Sequence, residues 1–298
     1  MIVALTGGTG FLGGHVLDRL IASGHQVRAL ARKPQSARDG VTWLAGDLDN
    51  LGDLCAGADA DAVIHVAGVV NADALTFDKG NRQGTENMLA AAMAAGVRRF
   101  VHISSLSARE PQLSNYGASK RAAENAVIAS SLDWSVVRPP AIYGPGDTDN
   151  LELFRLAKRG IMPLPPKGRL SAIHADDLAR LIVAMVETSP ANAVYEADDG
   201  HASGWSHKDY ARMIGAAVGR NPVTLALPKA ALNIGAALDG LFRGGNAKLT
   251  RDRVSYMTHP DWVIDPEKRP PASLWTPQIE TADGLKSTAD WYRAKGWL

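Results

Sequence analysis

The first 30 residues contain the feature that most constrains the fold, a glycine-rich turn between a short apolar run and an amphipathic segment. The run Ile2–Leu5 has the composition of a buried parallel strand. After the turn, apolar residues recur at helical spacing over Phe11–Ile21, and Gly24 ends the pattern. The segment His25–Leu30 is typical of a second strand. Strand, turn, helix and strand predict one βαβ unit with the glycines at the carboxyl end of its first strand.

The turn Thr6-Gly7-Gly8-Thr9-Gly10-Phe11-Leu12-Gly13 has glycines where a dinucleotide site requires them. Gly7 would allow a tight turn, Gly10 a close approach to a pyrophosphate, and Gly13 the packing of helix on strand. The phosphates would lie at the helix N-terminus, where N–H groups and the helix dipole attract negative charge. Placed between a strand and a helix, the motif predicts dinucleotide binding. The predicted contacts in this turn are Gly7, Thr9, Gly10, Phe11, Leu12 and Gly13.

The spacing Gly7-x-x-Gly10-x-x-Gly13, opened by Thr6, resembles that of the extended short-chain dehydrogenase/reductase family. The alternative spacing Gly8-x-Gly10-x-x-Gly13 is also present. The family includes nucleotide-sugar epimerases, dehydratases and many carbonyl reductases. The resemblance implies an α/β fold, a doubly wound and mostly parallel Rossmann sheet with a small interleaved C-terminal substrate lobe.

Length and composition set limits on other functions. The chain has 298 residues, 46% of them hydrophobic, and a net charge of +1, so no basic surplus indicates nucleic acid binding. The single cysteine, Cys55, excludes an internal disulfide and a multi-cysteine metal site, and we expect it to be a core thiol. We see no secretory leader, and no run reaches the roughly 18 apolar residues of a membrane span. We therefore expect a cytoplasmic protein with no metal, no nucleic acid partner and no membrane partner.

The end of the second strand predicts NADP as the cofactor. An NAD-preferring site would place an acidic residue about 20 residues past the glycines, to bind the ribose 2′-hydroxyl. This chain has Ala31 there, followed by Arg32 and Lys33, which could bind a 2′-phosphate. The alternatives are a solvated charged loop and the use of NAD.

Other strand ends resemble positions at which the family contacts its cofactor. Asp47 follows the strand Val41–Ala45 and matches an aspartate that binds the adenine amine, but it could equally cap a helix through Leu51 and Leu54. His65 lies between apolar residues and is expected to be structural. Asn81 would open a long helix on the nicotinamide side, and a proline-rich passage would run past the nicotinamide amide. The contacts that the resemblance implies are Asp47, Leu48, Val66, Ala67, Gly68, Asn81, Pro139, Ala141 and Ile142.

The predicted chemical centre is Tyr116-Gly-Ala-Ser-Lys120, which follows a strand that ends in Ser104 and Ser105. Residues four apart on a helix face the same way, so Tyr116 and Lys120 can act on one site. An ammonium beside the phenol favours phenolate and lowers the tyrosine pKa. Ser105 could bind a substrate carbonyl while Tyr116 gives or takes the proton, and Ser104 or Ser107 could replace it. Lys120 would also hold the nicotinamide ribose.

The simple strand and helix alternation ends near residue 143. We expect a dinucleotide-binding domain over 1–142, with 170–198 returning to it, and a substrate lobe formed by 143–169 and 199–298. A proline-rich loop is expected at Gly160–Gly168. Further expected elements are a strand at 170–174, a helix from 175 that Asp176 and Asp177 cap, and helices at 151–159, 206–219, 228–242, 249–257 and 281–298.

These features predict an NADP-dependent oxidoreductase that transfers hydride between nicotinamide and a carbonyl or alcohol, with Tyr116 as general acid or base. One alternative is a nucleotide-sugar epimerase or dehydratase, although the loop from Ser105 to Tyr116 is shorter than in many sugar-nucleotide epimerases. Another is a non-catalytic NADP-binding regulatory or assembly protein, since a fold does not determine a function. The substrate would be a small carbonyl or sugar-type molecule. The alanine-rich helices 85–95 and 119–131 could pack together in a homodimer.

Overall fold

The structure is a computed structural model that describes residues 1–51, 54, 60–188 and 192–298. Cys55 lies outside these residues, as does most of the helix expected through Leu51 and Leu54. The chain divides into two compact units. Unit 1 comprises Met1–Arg138, Leu178–Glu196 and Pro270–Thr276, and unit 2 comprises Pro139–Asp177, Ala197–Arg269 and Pro277–Leu298.

The secondary structure alternates regularly in the first half of the chain. The strands are β1 (Ile2–Thr6), β2 (Gln26–Ala31), β3 (Val41–Ala45), β4 (Ala62–His65), β5 (Arg99–Ile103), β6 (Asp133–Arg138), β7 (Ala141–Tyr143), β8 (Ile161–Leu164), β9 (Arg169–Leu170), β10 (Ala172–His174), β11 (Ala193–Glu196), β12 (Trp205–Ser206), β13 (Val223–Ala226) and β14 (Asp261–Trp262). The α-helices are α1 (Phe11–Ala22), α2 (Ala74–Phe77), α3 (Gly84–Ala94), α4 (Asn115–Ala129), α5 (Leu151–Lys158), α6 (Ala175–Thr188), α7 (His207–Ala217), α8 (Lys229–Arg243), α9 (Arg251–Met257) and α10 (Thr281–Ala294).

Unit 1 is built on a seven-stranded sheet in the order β11-β6-β5-β4-β1-β2-β3. Every pair is parallel, which confirms the predicted Rossmann class. The central strands β1, β4 and β5 are almost wholly buried, because helices cover both faces of such a sheet, whereas the edge strand β3 is half-exposed. The strand order reverses between β1 and β4, and open α/β sheets bind ligands beyond the strands' carboxyl ends at this point.

One expected helix begins earlier than the sequence predicted. Asp73 caps α2 by accepting the amide of Thr76 at 2.8 Å. A π-helical turn, Asp78–Gln83, then joins α2 to α3, so Asn81 lies inside the helical segment rather than opening it. Because single π-helical turns inside α-helices mark functional sites often, this turn is itself informative.

Unit 2 contains short sheets that the sequence did not predict. The expected loop Gly160–Gly168 contains β8, which pairs in parallel with β13. Among the described residues β8 pairs with one strand, so Pro163 is tolerated there because its missing N–H can face the open edge. The strand expected at 170–174 divides at Ser171 into β9, which pairs with β12 and β14, and β10, which pairs with β7.

Candidate functional site

The glycine turn follows β1 and is held tightly by the protein's own backbone. Gly7 has a φ of +79°, and a Cβ there would lie 2.7 Å from the amide nitrogen of Ala67. A Cβ on Gly13 would lie 1.9 Å from the carbonyl oxygen of Gly7. The structure therefore gives Gly7 the tight turn, and Gly13 the close packing of α1, that the sequence assigned to them.

Gly10 has a different environment. A Cβ there would have a single neighbour within 4 Å among the described atoms, the Gly7 carbonyl oxygen at 3.3 Å. Gly10 is the N-cap of α1, with extended backbone and no side-chain cap, and no acidic residue lies in the first turn. The open space over Gly10 and the uncapped helix N-terminus fit a pyrophosphate. Nearby, Thr9 is exposed, Phe11 is half-buried and Leu12 is buried.

The end of β2 presents the two predicted cations to solvent. Ala31 is buried, whereas Arg32 and Lys33 are exposed. Within the described chain, neither of these two side chains has a recorded ion pair or hydrogen bond. They remain available for an anionic ligand.

Asp47 orders the turn that follows β3. Its Oδ1 accepts the amides of Asp49 at 3.0 Å and Asn50 at 2.9 Å. The carbonyl oxygen of Leu48 accepts a 2.7 Å hydrogen bond from Asn87, a residue of α3. These contacts hold the turn beside α3.

A line of hydrogen bonds connects the end of β1 to the π-helical turn. Thr6 Oγ1 lies 2.7 Å from His65 Nδ1 and accepts a hydrogen bond from the amide of Ala67. On the other side of the ring, His65 Nε2 lies 3.0 Å from Thr85 Oγ1. Thr85 donates its proton to the carbonyl oxygen of Asn81 at 2.7 Å. Thr85 must therefore accept from His65 Nε2–H, and Nδ1 accepts from Thr6. This arrangement satisfies a neutral imidazole completely.

Electrostatics keep His65 neutral. Burial, with a smaller contribution from the Lys120 ammonium, lowers the pKa of His65 to about 3. Its ring stacks on His102 with centroids 5.5 Å apart. Burial also holds the pKa of His102 well below its usual value. His65 thus has the structural role that the sequence predicted, and it positions the ends of β1 and β4.

The Asn81 side chain connects the π-helical turn to Val69 and to α4 by hydrogen bonds. Its Oδ1 accepts the Val69 amide at 2.7 Å, and its Nδ2 donates to the Val69 carbonyl at 3.0 Å and to Ser119 Oγ at 2.8 Å. Ser119 in turn donates to the carbonyl oxygen of Tyr116 at 2.8 Å. The π-helical turn therefore positions the start of α4, where the predicted chemical groups lie.

Lys120 is buried at the carboxyl ends of β4 and β5. Its Nζ donates a 2.7 Å hydrogen bond to the carbonyl oxygen of Ile103. Burial lowers the pKa of Lys120 to about 8, while Glu124 opposes the shift. A Cβ on Gly68 would lie 2.9 Å from Asn81 Oδ1 and 3.7 Å from Lys120 Nζ, so the small residue leaves the ammonium accessible from this side. Lys120 stays mostly protonated at pH 7 and can stabilise a neighbouring anion.

Tyr116 stands one helical turn before Lys120 and is half-buried. Its ring lies 5.6 Å from that of Phe77. Ser114 caps α4 by accepting the Gly117 amide at 2.9 Å, and a Cβ on Gly117 would lie 2.7 Å from the carbonyl oxygen of Ser107. The loop after β5 thus packs directly on the start of α4.

The three candidate serines differ in their partners. Ser104 is buried and donates to Glu124 Oε1 at 2.5 Å. Ser105 is half-buried, and its Oγ accepts the amide of Ser107 at 3.2 Å and its hydroxyl at 2.9 Å. Because no acceptor is recorded for the Ser105 hydroxyl proton among the described residues, Ser105 is the serine best able to donate to a ligand.

Sequence reasoning missed a buried charge network below these groups. Arg138 donates to Glu124 at 2.8 and 2.6 Å and to Glu196 at 3.3 Å, and Arg109 lies 3.9 Å from Glu196. Glu124 and Glu196 have no exposed surface. The sequence signal was Glu124 four residues after Lys120, on the same face of α4.

Three more of the predicted contacts lie in unit 2. Pro139 directly follows β6, and Ala141 and Ile142 belong to β7, where Ile142 pairs with Ile173 of β10. The pairing of β7 with β10 holds Ala141 and Ile142 in place within that unit.

The described part of the chain lacks two kinds of feature. It holds no group of three or more His, Cys, Asp or Glu side chains that could bind a metal ion. None of its helices is both long and apolar enough to cross a membrane.

The uncapped helix N-terminus, the glycine turn and the Rossmann sheet are features of dinucleotide-dependent enzymes, and comparisons give the family. The sequence pattern of an NAD(P)H-binding family matches residues 7–189. Over its full length the chain is 39% identical to the ceramide reductase of Caulobacter vibrioides and covers 96% of that protein. It is 29% identical to 2-alkyl-3-oxoalkanoate reductase of Stenotrophomonas maltophilia, over 96% of this chain and 98% of that one.

A solved structure shows the same fold. The human epimerase family protein SDR39U1, solved with NADPH, superposes with a TM-score of 0.76 at 20% identity, covering 97% of this chain and 99% of that one. This chain belongs to the NAD(P)H-binding, extended short-chain dehydrogenase/reductase family. It is an NAD(P)-dependent enzyme, which confirms the dinucleotide binding predicted from the glycine motif and the enzyme class predicted from the whole sequence.

Replacing Gly10 by valine is expected to block NADPH binding without unfolding the protein. The backbone of Gly10 is extended, with φ −87° and ψ 175°, so valine can adopt it. Its side chain would fill the space over the turn. NADPH titration followed by fluorescence, together with a thermal melt, measures both effects. Gly14→Ala is the matched control, because a Cβ there meets nothing within 4 Å. Wild-type affinity in folded Gly10→Val would show that the loop is only a turn.

Proposed function

We propose that this protein is an NADPH-dependent reductase of a carbonyl group in a long-chain, amphiphilic substrate. The observation that carries the proposal is the buried ammonium of Lys120, one turn from Tyr116 and beside Gly68 at the carboxyl ends of the central strands. The names of two relatives support the substrate class, since ceramides and 2-alkyl-3-oxoalkanoates both carry alkyl chains.

In the proposed reaction, the glycine turn would hold NADPH, which would supply a hydride to the carbonyl carbon. Ser105 donates a hydrogen bond to the carbonyl oxygen, and the Tyr116 hydroxyl transfers its proton to that oxygen, so that hydride and proton together give the alcohol. Lys120 stabilises the phenolate that Tyr116 becomes, because its ammonium is buried and weakly screened. Asn81 acts through Val69 and Ser119 and is a positioning residue.

Consumption of NADPH tests the reaction class. A detergent-dispersed long-chain 3-oxo amide should be reduced with one NADPH consumed for each alcohol formed. UDP-glucose is the second substrate to test, because a nucleotide-sugar epimerase would interconvert it with no net consumption of cofactor. Epimerised UDP-glucose without any reduction of the ketone would overturn the proposal in favour of the epimerase.

We further propose that Arg32 and Lys33 make the enzyme prefer NADPH. Arg32→Ala is expected to weaken NADPH binding about tenfold or more and to leave NADH binding nearly unchanged, because a charge-assisted hydrogen bond contributes roughly 1.5–3 kcal/mol and solvent reduces it here. Dissociation constants for both cofactors at one fixed salt concentration measure the effect. Arg98→Ala is the control. It removes an exposed cation just before β5, at the amino ends of the parallel strands, whereas Arg32 follows the carboxyl end of β2. Equal losses for both cofactors would show that Arg32 only supports its loop.

The expected cytoplasmic location and homodimer also remain proposals. The faces of α3 and α4 that would meet in a dimer carry exposed Met93 and Ile128. Sedimentation equilibrium of the purified protein distinguishes a dimer from a monomer.

A further inference from the structure

Unit 2 contains an open, basic surface cavity of about 410 Å³, and none of its lining residues is among those assigned to the reaction. It is lined by Arg155, Lys158, Arg159, Arg220, Trp297 and Leu298. None of these side chains is acidic. Arg155 is bound to Glu152 at 2.7 Å and to the carbonyl oxygen of Trp297 at 3.1 Å. Lys158, Arg159 and Arg220 are exposed, and within the described chain their side chains have no recorded ion pair. This positive charge, which Glu152 and the α-carboxylate of Leu298 offset only in part, attracts anions.

An exposed apolar edge begins where these cations end. The Gly160 carbonyl oxygen accepts the Val223 amide at 2.9 Å, and Ile161 pairs in register with Val223. β8 and β13 therefore start together, directly after the Lys158–Arg159 turn and shortly after Arg220. Ile161, Val223 and Leu225 are 52%, 62% and 49% exposed. Inorganic phosphate would make no favourable contact with these aliphatic side chains, whereas a lipid surface contains both phosphate and hydrocarbon.

We propose that this basic cavity and the adjoining strand edge dock the protein on an anionic phospholipid membrane, with lipid phosphates in the cavity and Ile161 and Val223 at the headgroup boundary. The positive charge of the cavity complements the negative charge of an anionic membrane surface. Trp297 lines the cavity, and tryptophan is enriched at membrane interfaces. The inference rests partly on the proposed function, because a long-chain amphiphile resides in membranes. It revises the expectation of no membrane partner, which followed from the lack of a spanning segment and does not address surface binding.

Vesicle flotation at low salt tests the proposal. The wild-type protein should float with phosphatidylcholine vesicles that contain about one third phosphatidylglycerol and not with phosphatidylcholine alone. The triple variant Lys158→Gln/Arg159→Gln/Arg220→Gln should bind about a hundredfold more weakly, from roughly fivefold for each cation. Ile161→Thr/Val223→Thr, which keeps strand propensity, should also weaken binding. The control Lys208→Gln/Lys229→Gln/Arg251→Gln removes the same charge from exposed positions of unit 2 and should bind like the wild type.

Several outcomes would overturn the inference. The wild type could fail to float, or the control variant could lose as much binding as the triple variant. Displacement of the protein from vesicles by millimolar inorganic phosphate would indicate a site for a soluble anion. A change of oligomeric state in the strand variant would indicate a contact between copies of the protein. Loss of flotation in Leu241→Ser/Phe242→Ser with full binding of the cation variant would move the contact to the exposed residues of α8. Reduction of detergent-dispersed ketone is measured in parallel. Activity without flotation refutes the docking site alone, and flotation without activity refutes the proposed function alone.

Discussion

Tyr116→Phe is expected to lower kcat about 10²–10⁴-fold and to leave the NADPH dissociation constant nearly unchanged, if the proposed reaction is correct. The substitution deletes the one hydroxyl that would deliver the proton, while the ring keeps its packing 5.6 Å from Phe77. The backbone of residue 116 continues to accept the Ser119 hydroxyl, so α4 should keep its position on the π-helical turn. Steady-state turnover and cofactor titration measure the two quantities separately.

Tyr195→Phe provides the matched control for this loss. Tyr195 lies on β11 in the same unit. The substitution removes the same chemical group, a phenolic hydroxyl, from a residue that has no part in the proposed reaction. It should retain wild-type turnover. If Tyr116→Phe also keeps turnover within a few-fold of the wild type, another group donates the proton and the assignment of Tyr116 is wrong.

Arg138→Met is expected to cause the largest loss of stability, about 3–5 kcal/mol in the free energy of unfolding of unit 1. The guanidinium binds Glu124 and Glu196, two carboxylates with no exposed surface, and its removal leaves both of them buried without the cation that they share. Urea unfolding followed by circular dichroism measures the change. Because Glu124 also accepts the Ser104 hydroxyl, the loop after β5 should loosen as well.

The control and the rescue for Arg138 both lie in unit 1. Arg38→Met breaks an exposed ion pair with Asp18 at 2.7 Å, and solvent screening makes such a pair worth little. Adding Glu124→Gln and Glu196→Gln to Arg138→Met should recover part of the stability, since it removes the buried charges that Arg138 no longer balances. A loss no larger than that of Arg38→Met would show that water or Arg109 compensates the carboxylates.

The parts of the molecule that the sequence predicted are those encoded by local patterns. The apolar run before Gly7 and the helical spacing after it determine a βαβ unit within about 30 residues, and Tyr116 and Lys120 are one turn apart on any helix. Asp78–Gln83 shows the limit of this reasoning, because a π-helical turn has no periodicity that differs clearly from that of an α-helix. The helix was therefore expected to begin at Asn81.

Contacts between distant residues could not be predicted in the same way. Arg138 and Glu196 are 58 positions apart and meet only because β11 pairs with β6 at the end of the sheet. β8 was hidden because Pro163 argues against a strand, and it forms since β13 supplies a partner on one side only. In both cases the information lies in the topology and not in the neighbouring sequence.

The hydrogen bond from Lys120 to Ile103 has an evolutionary consequence. Its acceptor is a main-chain carbonyl, which every amino acid at position 103 would provide. The ammonium can therefore keep its anchor through any substitution there that preserves the strand, and it retains two further donors for ligands. Side chains near Lys120 can then diverge without loss of the charge to which we assign the stabilisation of the Tyr116 phenolate. A saturation library at position 103 should accordingly retain catalysis in far more of its folded members than a library at position 120.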